Sequence, residues 1–342
     1  MQELPQSMRA IVQDVYGGPE VLHFADVPLP ELRAHDLLVR VAAVSVNPVD
    51  AKSRSGGPRG QPVPNPPLIL GWDAVGEVVA LGAEARRFQV GDRVYFAGDR
   101  TRAGCYAEYA AVDERIAGRR PRTLTDAQAA AVPLVALTAW EGLLESLEAD
   151  RGDAGLGTRV CLIVGGAGGV GSLAIQIARQ VCGLTVVATA SRLESADYCR
   201  ELGADAVIDH TQPLAEQLRV LGYAGADYIF STAAPVGFAQ WVLALNPLGK
   251  ICCIVGGPEL AHLDVSPLFP LRGTLSFELM FTRSRTGVGL EKQGAILDRV
   301  ADLLDAGILR STVNQVLSWD QVQEAHRLIE SGHTTGKIVM IV

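Results

Sequence analysis

Val160-Cys161-Leu162-Ile163-Val164 runs directly into Gly165-Gly166-Ala167-Gly168-Gly169-Val170-Gly171, and the reading of this stretch decides the fold. Gly166, Gly168 and Gly171 satisfy G-x-G-x-x-G, a weak signal alone but a strong one between a buried strand and an amphipathic helix. The helix is legible in Val170, Leu173, Ala174, Ile177, Ala178 and Val181, which recur at helical spacing as one apolar stripe. In that setting the glycines provide a tight turn, backbone approach to a pyrophosphate and close packing of helix on strand. The helix N-terminus adds free N–H groups and the positive end of its dipole. Gly166, Ala167, Gly168, Gly169, Val170 and Gly171 are therefore the candidate cradle for a dinucleotide. No G-K-[ST] follows, so the loop is not a P-loop.

Working outward, strand-like runs at 159–164, 185–190, 206–208, 227–230 and 250–255 alternate with helical patterns from Thr158 onward. Alternation at this pitch predicts a parallel sheet covered on both faces, a doubly wound α/β domain. A dinucleotide site that prefers the unphosphorylated cofactor places an acid at the end of the second strand. Here the strand ends Ala190-Ser191-Arg192. Ser191 and Arg192 can bond a 2′-phosphate, which a carboxylate would repel. The expectation is NADP(H). In the alternative, Glu194 swings back to the ribose and Arg192 is a solvated helix-start residue.

The first 125 residues have a different texture. Short β runs at 8–12, 36–43, 74–80 and 93–96 are punctuated by Gly17-Gly18-Pro19 and by a long Gly-, Pro- and Arg-rich loop over 53–67. This predicts a small irregular β-barrel with large loops. Thr125-Asp126-Ala127-Gln128 is a capping box that opens an Ala-rich helix. Beyond Gly257 a strand is expected over 275–281, and then a helix marked by Ile296, Val300, Leu303 and Leu304 and ended by Gly307. A second helix is capped by Ser318 and Gln321 and ended by Gly332, and a closing strand covers 337–342. The chain thus divides into a β-rich catalytic domain, 1–126 with 266–342, and an inserted dinucleotide-binding domain, 127–265.

With 30 Lys and Arg against 38 Asp and Glu, the net charge is −8, which disfavours nucleic acid and anionic membranes as partners. No uninterrupted apolar run reaches the length of a membrane helix, and Met1-Gln2-Glu3-Leu4-Pro5 does not read as a secretion signal. The six cysteines, at 105, 161, 182, 199, 252 and 253, include no C-x-x-C pair and read as reduced thiols of a cytoplasmic protein.

Asn47-Pro48-Val49-Asp50, Gly71-Trp72-Asp73-Ala74-Val75-Gly76-Glu77-Val78, Gly91-Asp92-Arg93-Val94 and Gly168-Gly169-Val170-Gly171 together resemble the medium-chain dehydrogenase/reductases. Within them the chain is most similar to the quinone oxidoreductase-like branch, in a subgroup often labelled zinc-type alcohol dehydrogenase-like. Phe281-Thr282-Arg283-Ser284 and Gly336-Lys337-Ile338-Val339 also resemble that subgroup. The resemblance implies a GroES-like barrel plus a Rossmann domain, with the active site in the cleft between them. Zinc-dependent relatives hold their metal with Cys, His and a third Cys or acid. At the matching positions this chain has Asn47, Trp72 and Leu134, none a good zinc ligand, and no zinc is expected.

Without zinc, reduction of a simple ketone lacks its Lewis acid, whereas a quinone or an α,β-unsaturated carbonyl accepts hydride at carbon and spreads the charge into an enolate. The resemblance thus implies NADPH-dependent reduction of quinones or activated C=C bonds in a small-molecule substrate. Lys52, in the loop after Asn47, stands where many relatives carry tyrosine and is the candidate stabiliser of the enolate oxygen. Asn47 is the candidate partner of substrate or nicotinamide ribose. A solvated Lys52 and a turn-forming Asn47 are the plain alternative. Thr138 matches a nicotinamide contact, His210 a position near the adenosine phosphate, and Val255 a backbone border of the nicotinamide. Trp72, Phe96 and Phe281 are candidate walls of an apolar substrate cleft, or else ordinary core aromatics. A homodimer is expected. The competing functions are a metal-free carbonyl or alcohol dehydrogenase and an NADPH-binding protein with a structural or regulatory role.

Overall fold

The computed structural model describes residues 4–65, 67–149 and 159–342. Thr158, from which the strand–helix alternation was read, and Pro66 within the expected long loop lie outside the described residues. The chain divides into two units, Met1–Leu134 with Phe281–Val342, and Val135–Met280.

The first unit opens with β1 (Ser7–Gln13), β2 (His23–Pro28), β3 (Asp36–Val46), β4 (Leu68–Ile69), β5 (Ala74–Leu81), β6 (Arg93–Phe96), β7 (Tyr109–Asp113) and β8 (Ala117–Arg119). β1 pairs antiparallel with β2 and β4. β3 is the organising strand: it pairs antiparallel with both β5 and β7, and nine of its 11 residues are buried with Arg40 its one exposed position. Register shifts at Leu38/Val39 and Val41/Ala43 bend it, as bulges do in closed sheets. Tyr95 on β6 is fully buried and donates its hydroxyl to Leu297 O at 2.7 Å, which ties the sheet to the helix Leu290–Asp305.

The second unit carries β9 (Val160–Val164), β10 (Thr185–Thr189), β11 (Ala206–Ile208), β12 (Ala226–Ser231), β13 (Leu245–Cys253) and β14 (Thr274–Phe277). Their order is β11-β10-β9-β12-β13-β14, with every pairing parallel. This is the doubly wound α/β order, and its direction reverses between β9 and β12, where such folds take their ligand. Leu162, Val187, Ile229 and Ile251 sit in the core on four neighbouring strands, with Phe238 and Trp241 from a covering helix. The strand expected over 275–281 splits: β14 ends at Phe277 as the sixth strand of this sheet, and Phe281 begins the helix Phe281–Thr286. The units therefore divide at 134/135 and 280/281 rather than at 126/127 and 265/266, because β14 finds its partner in β13.

The chain returns to the first unit with β15 (Val313–Ser318) and β16 (Lys337–Ile341), separated by the helix Val322–Glu330. β16 pairs parallel with β15 and antiparallel with β3, completing a seven-stranded sheet. The segment Asp126–Ser146 is long and apolar enough to cross a membrane, but 78% of its apolar window is buried inside the fold.

Candidate active site

Strand register builds the interior of the first unit. β16 pairs with β3 through Ile338↔Val46, so Lys337 falls opposite Asn47. β5 pairs with β3 through Ala74↔Val44, so Asp73 falls beside Ser45, whose N–H bonds Asp73 O at 2.9 Å. Three residues distant in sequence thus meet at one end of three adjacent strands. Lys337 Nζ donates to Asn47 Oδ1, to Asp73 Oδ2 at 3.2 Å and to Val46 O at 3.2 Å. Asp73 also accepts from Asn47 Nδ2 at 3.0 Å, Ser45 Oγ at 3.1 Å and Leu134 N at 3.0 Å. Burial pushes the Asp73 carboxyl above the usual range, against the pull of the Lys337 ammonium and these N–H groups.

Asn47 is consequently buried, with its amide committed to Lys337, Asp73 and Ser45 O. It precedes the helix Pro48–Arg54, where Pro48 takes the first-turn position that needs no N–H donor. Asp50 Oδ2 reaches back to Asn47 N at 2.6 Å and accepts from the Tyr106 hydroxyl at 3.2 Å. Burial raises the Asp50 carboxyl to about 7, partly opposed by the Asn47 N–H and Lys337. Lys52 therefore stands on a short helix and not in a loop, and its side chain is exposed. Asn47-Pro48 followed by Asp50 was the signal for that helix.

At the far end of the same helix Arg54 is 1% exposed and donates to Gly17 O at 3.1 Å, His326 Nδ1 at 2.7 Å and Glu330 Oε1 at 2.5 Å. Burial first, and then Arg54, lower His326 to about 3, so its ring is neutral. A histidine depressed below its unfolded value contributes stability that is complete above about pH 6.5 and is lost as pH falls toward 3. Wild-type melting temperature is expected to drop across that window, and His326→Gln to flatten the drop. An unchanged slope in the variant would show that other groups set the acid response.

The expected cleft aromatics, Trp72, Phe96 and Phe281, are all buried in the first unit. Trp72 and Phe281 meet edge to face at 6.2 Å. Trp72 and Phe96 line a cavity of about 280 Å³ together with Cys105 and Arg102. Arg102 is paired with Asp36 at 2.6 Å.

In the second unit the positive-φ turn falls at Gly165 (φ 80°), one residue before the first motif glycine. A Cβ on Gly166 would meet Ala188 Cβ at 2.8 Å and Cys199 Sγ at 3.0 Å, and one on Gly171 would meet Gly165 O at 2.2 Å. Both positions need glycine for close packing. A Cβ on Gly168 would find only Gly165 O, at 3.7 Å, so the loop is open at that point. Gly168 caps the helix Gly169–Gln176, and Ala167, Gly169 and Val170 are half-buried around this opening. The cradle thus fits a pyrophosphate: closed by backbone beneath, open above, and headed by a helix N-terminus.

The other expected cofactor residues follow the carboxyl ends of the parallel strands. Ser191 and Arg192 are exposed beyond β10, Arg192 at the N-cap of Leu193–Glu201. Glu194 is exposed in the first turn of that helix, so the structure leaves both readings of the ribose site in place. His210 is exposed beyond β11, and Val255 is half-buried beyond β13. Thr138 is buried in the helix Pro133–Trp140. Sequence reasoning did not single out Lys337 or Asp73 as site residues.

The donor set does not fit zinc. Asn47 offers a committed amide, Leu134 a hydrocarbon and Trp72 an indole, and the Lys337 ammonium lies against Asn47. Among the described residues no group of three or more His, Cys, Asp or Glu is placed to hold a metal ion. All six cysteines are buried free thiols, and burial raises Cys199 and Cys253 to about 11.

Residues 33–122 match the family described as alcohol dehydrogenase GroES-like domain, and residues 202–340 the family described as zinc-binding dehydrogenase. A zinc-type alcohol dehydrogenase-like protein of Staphylococcus aureus (strain MSSA476) is 35% identical over 319 residues, 92% of each chain. The chloroplastic NADPH-dependent alkenal/one oxidoreductase of Arabidopsis thaliana is 31% identical, over 98% of this chain and 80% of that one. The solved quinone oxidoreductase of Coxiella burnetii superposes with a TM-score of 0.80 at 29% identity, covering 98% of this chain and 99% of that one. The chain belongs to the medium-chain dehydrogenase/reductase superfamily. It is an oxidoreductase of that superfamily, with a GroES-like domain and a Rossmann-type parallel sheet.

Proposed function

We propose that the protein reduces quinones or the activated C=C bond of α,β-unsaturated carbonyls with NADPH and without zinc. The observation that carries this reading is the filling of one end of β3, β5 and β16 by the amide–carboxylate–ammonium cluster Asn47–Asp73–Lys337. Asn47, Trp72 and Leu134 offer a Lewis acid no good ligands, and an acceptor that delocalises its own charge needs less help. The NADPH-dependent alkenal/one and quinone relatives support the same reading.

The glycine loop would hold the pyrophosphate, with Ser191 and Arg192 at the 2′-phosphate and His210 nearby. Thr138 and Val255 would border the nicotinamide. When bound, the cofactor supplies a hydride to the β-carbon of the acceptor. As that C–H bond forms, the C=C pair shifts toward the carbonyl and charge gathers on its oxygen. Lys52 stabilises that oxygen, and the proton that completes the reduction arrives from Lys52 or from solvent. Asn47 acts one step back, holding the start of the helix that carries Lys52. Trp72, Phe96 and Phe281 give the substrate side its apolar character.

The test is the loss of NADPH absorbance with a naphthoquinone, an enone, a simple ketone and no substrate, before and after dialysis against a chelator. Turnover of quinone or enone alone, unchanged by chelation, is expected. Turnover of the ketone alone, or dependence on restored zinc, would overturn the proposal, and cofactor binding without turnover would point to a regulatory role.

For the cofactor, a charge-assisted hydrogen bond contributes about 1.5–3 kcal/mol. Arg192→Ala is therefore expected to lower the NADPH/NADH ratio of kcat/KM about ten- to a hundredfold. An unchanged ratio would remove Arg192 from the site. We also propose a cytoplasmic homodimer. The buried free thiols fit a reducing compartment, and β14 is an edge strand whose Phe277 is 53% exposed and followed by Leu279 at 47%. A monomeric mass by light scattering would count against the dimer.

A further inference from the structure

We infer that Arg100 selects acceptors that carry an anionic substituent, such as a carboxylate or sulfonate on the conjugated skeleton. The inference rests on the reading above that Lys52, Trp72 and Phe281 face the substrate.

Several arginines of the first unit are spent on carboxylates. Arg93 pairs with Asp126, Arg102 with Asp36 and Arg115 with Asp113, each at 2.6 Å, and Arg87 with Asp298 at 3.0 Å. Arg100 is exposed, and among the described residues no carboxylate pairs with it. Its neighbour Asp99 is turned to Thr101, accepting from both N and Oγ1 at 2.8 Å. The guanidinium of Arg100 lies instead over two aromatic rings, 5.6 Å from Trp72 and 5.8 Å from Phe281, within the reach of cation–π attraction. One of its N–H groups donates to Ser53 Oγ at 3.2 Å, which ties it to the residue beside Lys52.

An exposed arginine normally gives up side-chain freedom when it binds an anion. This one is already held from three sides, by two rings and a hydroxyl, so less freedom is lost and its remaining N–H groups are pre-organised. Lys52, exposed on the adjoining helix, has no carboxylate partner among the described residues either. In a chain of net charge −8, Arg100 beside the aromatic pair and Lys52 next to its Ser53 partner form a local attraction for anions. With the rings behind it, the guanidinium fork keeps its outward N–H groups for the charged substituent of an acceptor.

The experiment uses matched acceptors: 4-phenyl-3-buten-2-one with its para-carboxylate, and 1,4-naphthoquinone with its 2-sulfonate. Affinity is read by quenching of tryptophan fluorescence, independently of turnover, and kcat/KM by NADPH oxidation. Comparing the charged/neutral ratio between wild type and Arg100→Gln cancels the intrinsic reactivity of each acceptor. The ratio is expected to fall about three- to tenfold in the variant, in affinity as well as in kcat/KM. It should also fall in wild type as salt is raised. The same ratio in both proteins, equal losses for charged and neutral acceptors, or a rise confined to the KM of NADPH would each overturn the inference. Wild type that binds the charged acceptors more tightly but reduces none of the four would uphold the anion preference and sink the reaction proposed above.

Discussion

Lys337→Met is expected to melt about 10 °C below wild type, the largest single-residue effect on stability in the first unit. The substitution keeps the length of the side chain and removes the charge, so Asp73 stays fully buried with its counter-ion gone. Breaking a buried pair from one side costs about 3–5 kcal/mol, because the remaining charge has no water to turn to. Asn47 loses a donor to its Oδ1 at the same time, and the start of the helix that carries Lys52 loosens with it. Adding Asp73→Asn to Lys337→Met neutralises both sides and should recover most of the loss. Melting of the single and double variants by circular dichroism checks this, and equal midpoints for the two would mean that the ion pair is not what the residues contribute.

The second large effect concerns catalysis. Lys52 is exposed, so removing it should cost little stability, and Lys52→Met is expected to melt like wild type. Its effect should appear in the reaction. Removing a group that stabilises charge on a developing oxyanion typically lowers the rate by about 10²–10³-fold. We expect kcat/KM for a quinone or enone to fall by about a hundredfold while NADPH affinity stays near wild type. Single-turnover kinetics with a cofactor titration separate the two quantities. Parallel loss of cofactor affinity and rate would assign Lys52 to binding alone.

What the sequence revealed follows how local the cause was. β9 and the glycine loop were plain because an apolar run, three spaced glycines and a helical stripe lie within about two dozen consecutive residues. β13 was seen only from Lys250, although it starts at Leu245, because Pro247 and Gly249 break its local pattern and pairing with β12 carries it through. β15 was passed over since Val313-Asn314-Gln315-Val316 is too polar to read as a strand, and its neighbour β16 supplies the order. The helix Pro48–Arg54 was written in Asn47-Pro48 and Asp50, yet its seven residues were too short to show a stripe. The Asn47–Asp73–Lys337 cluster could not be read locally at all. Each member sits in an unremarkable neighbourhood, and only the pairing of β16 and β5 with β3 brings them together. The glycine cradle and Ser191–Arg192 were legible in the residues themselves, whereas Lys52, Thr138, His210 and Val255 were drawn from a family pattern, and the structure supplies their exposure.

The separation of Asp73 from Lys337 also has a consequence for how the chain is made. The two are 264 residues apart, so at roughly 5–20 residues per second a ribosome delivers the carboxylate well before the ammonium that neutralises it. The second unit, contiguous from Val135 to Met280, has all its strands in hand during that interval. The first does not, and its nascent half must wait with an acid whose counter-ion has not yet been made, held only by Asn47, Ser45 and Leu134. A slow stretch of codons or a holding chaperone would matter most in that window, and a truncation before Lys337 would strand the waiting half for good.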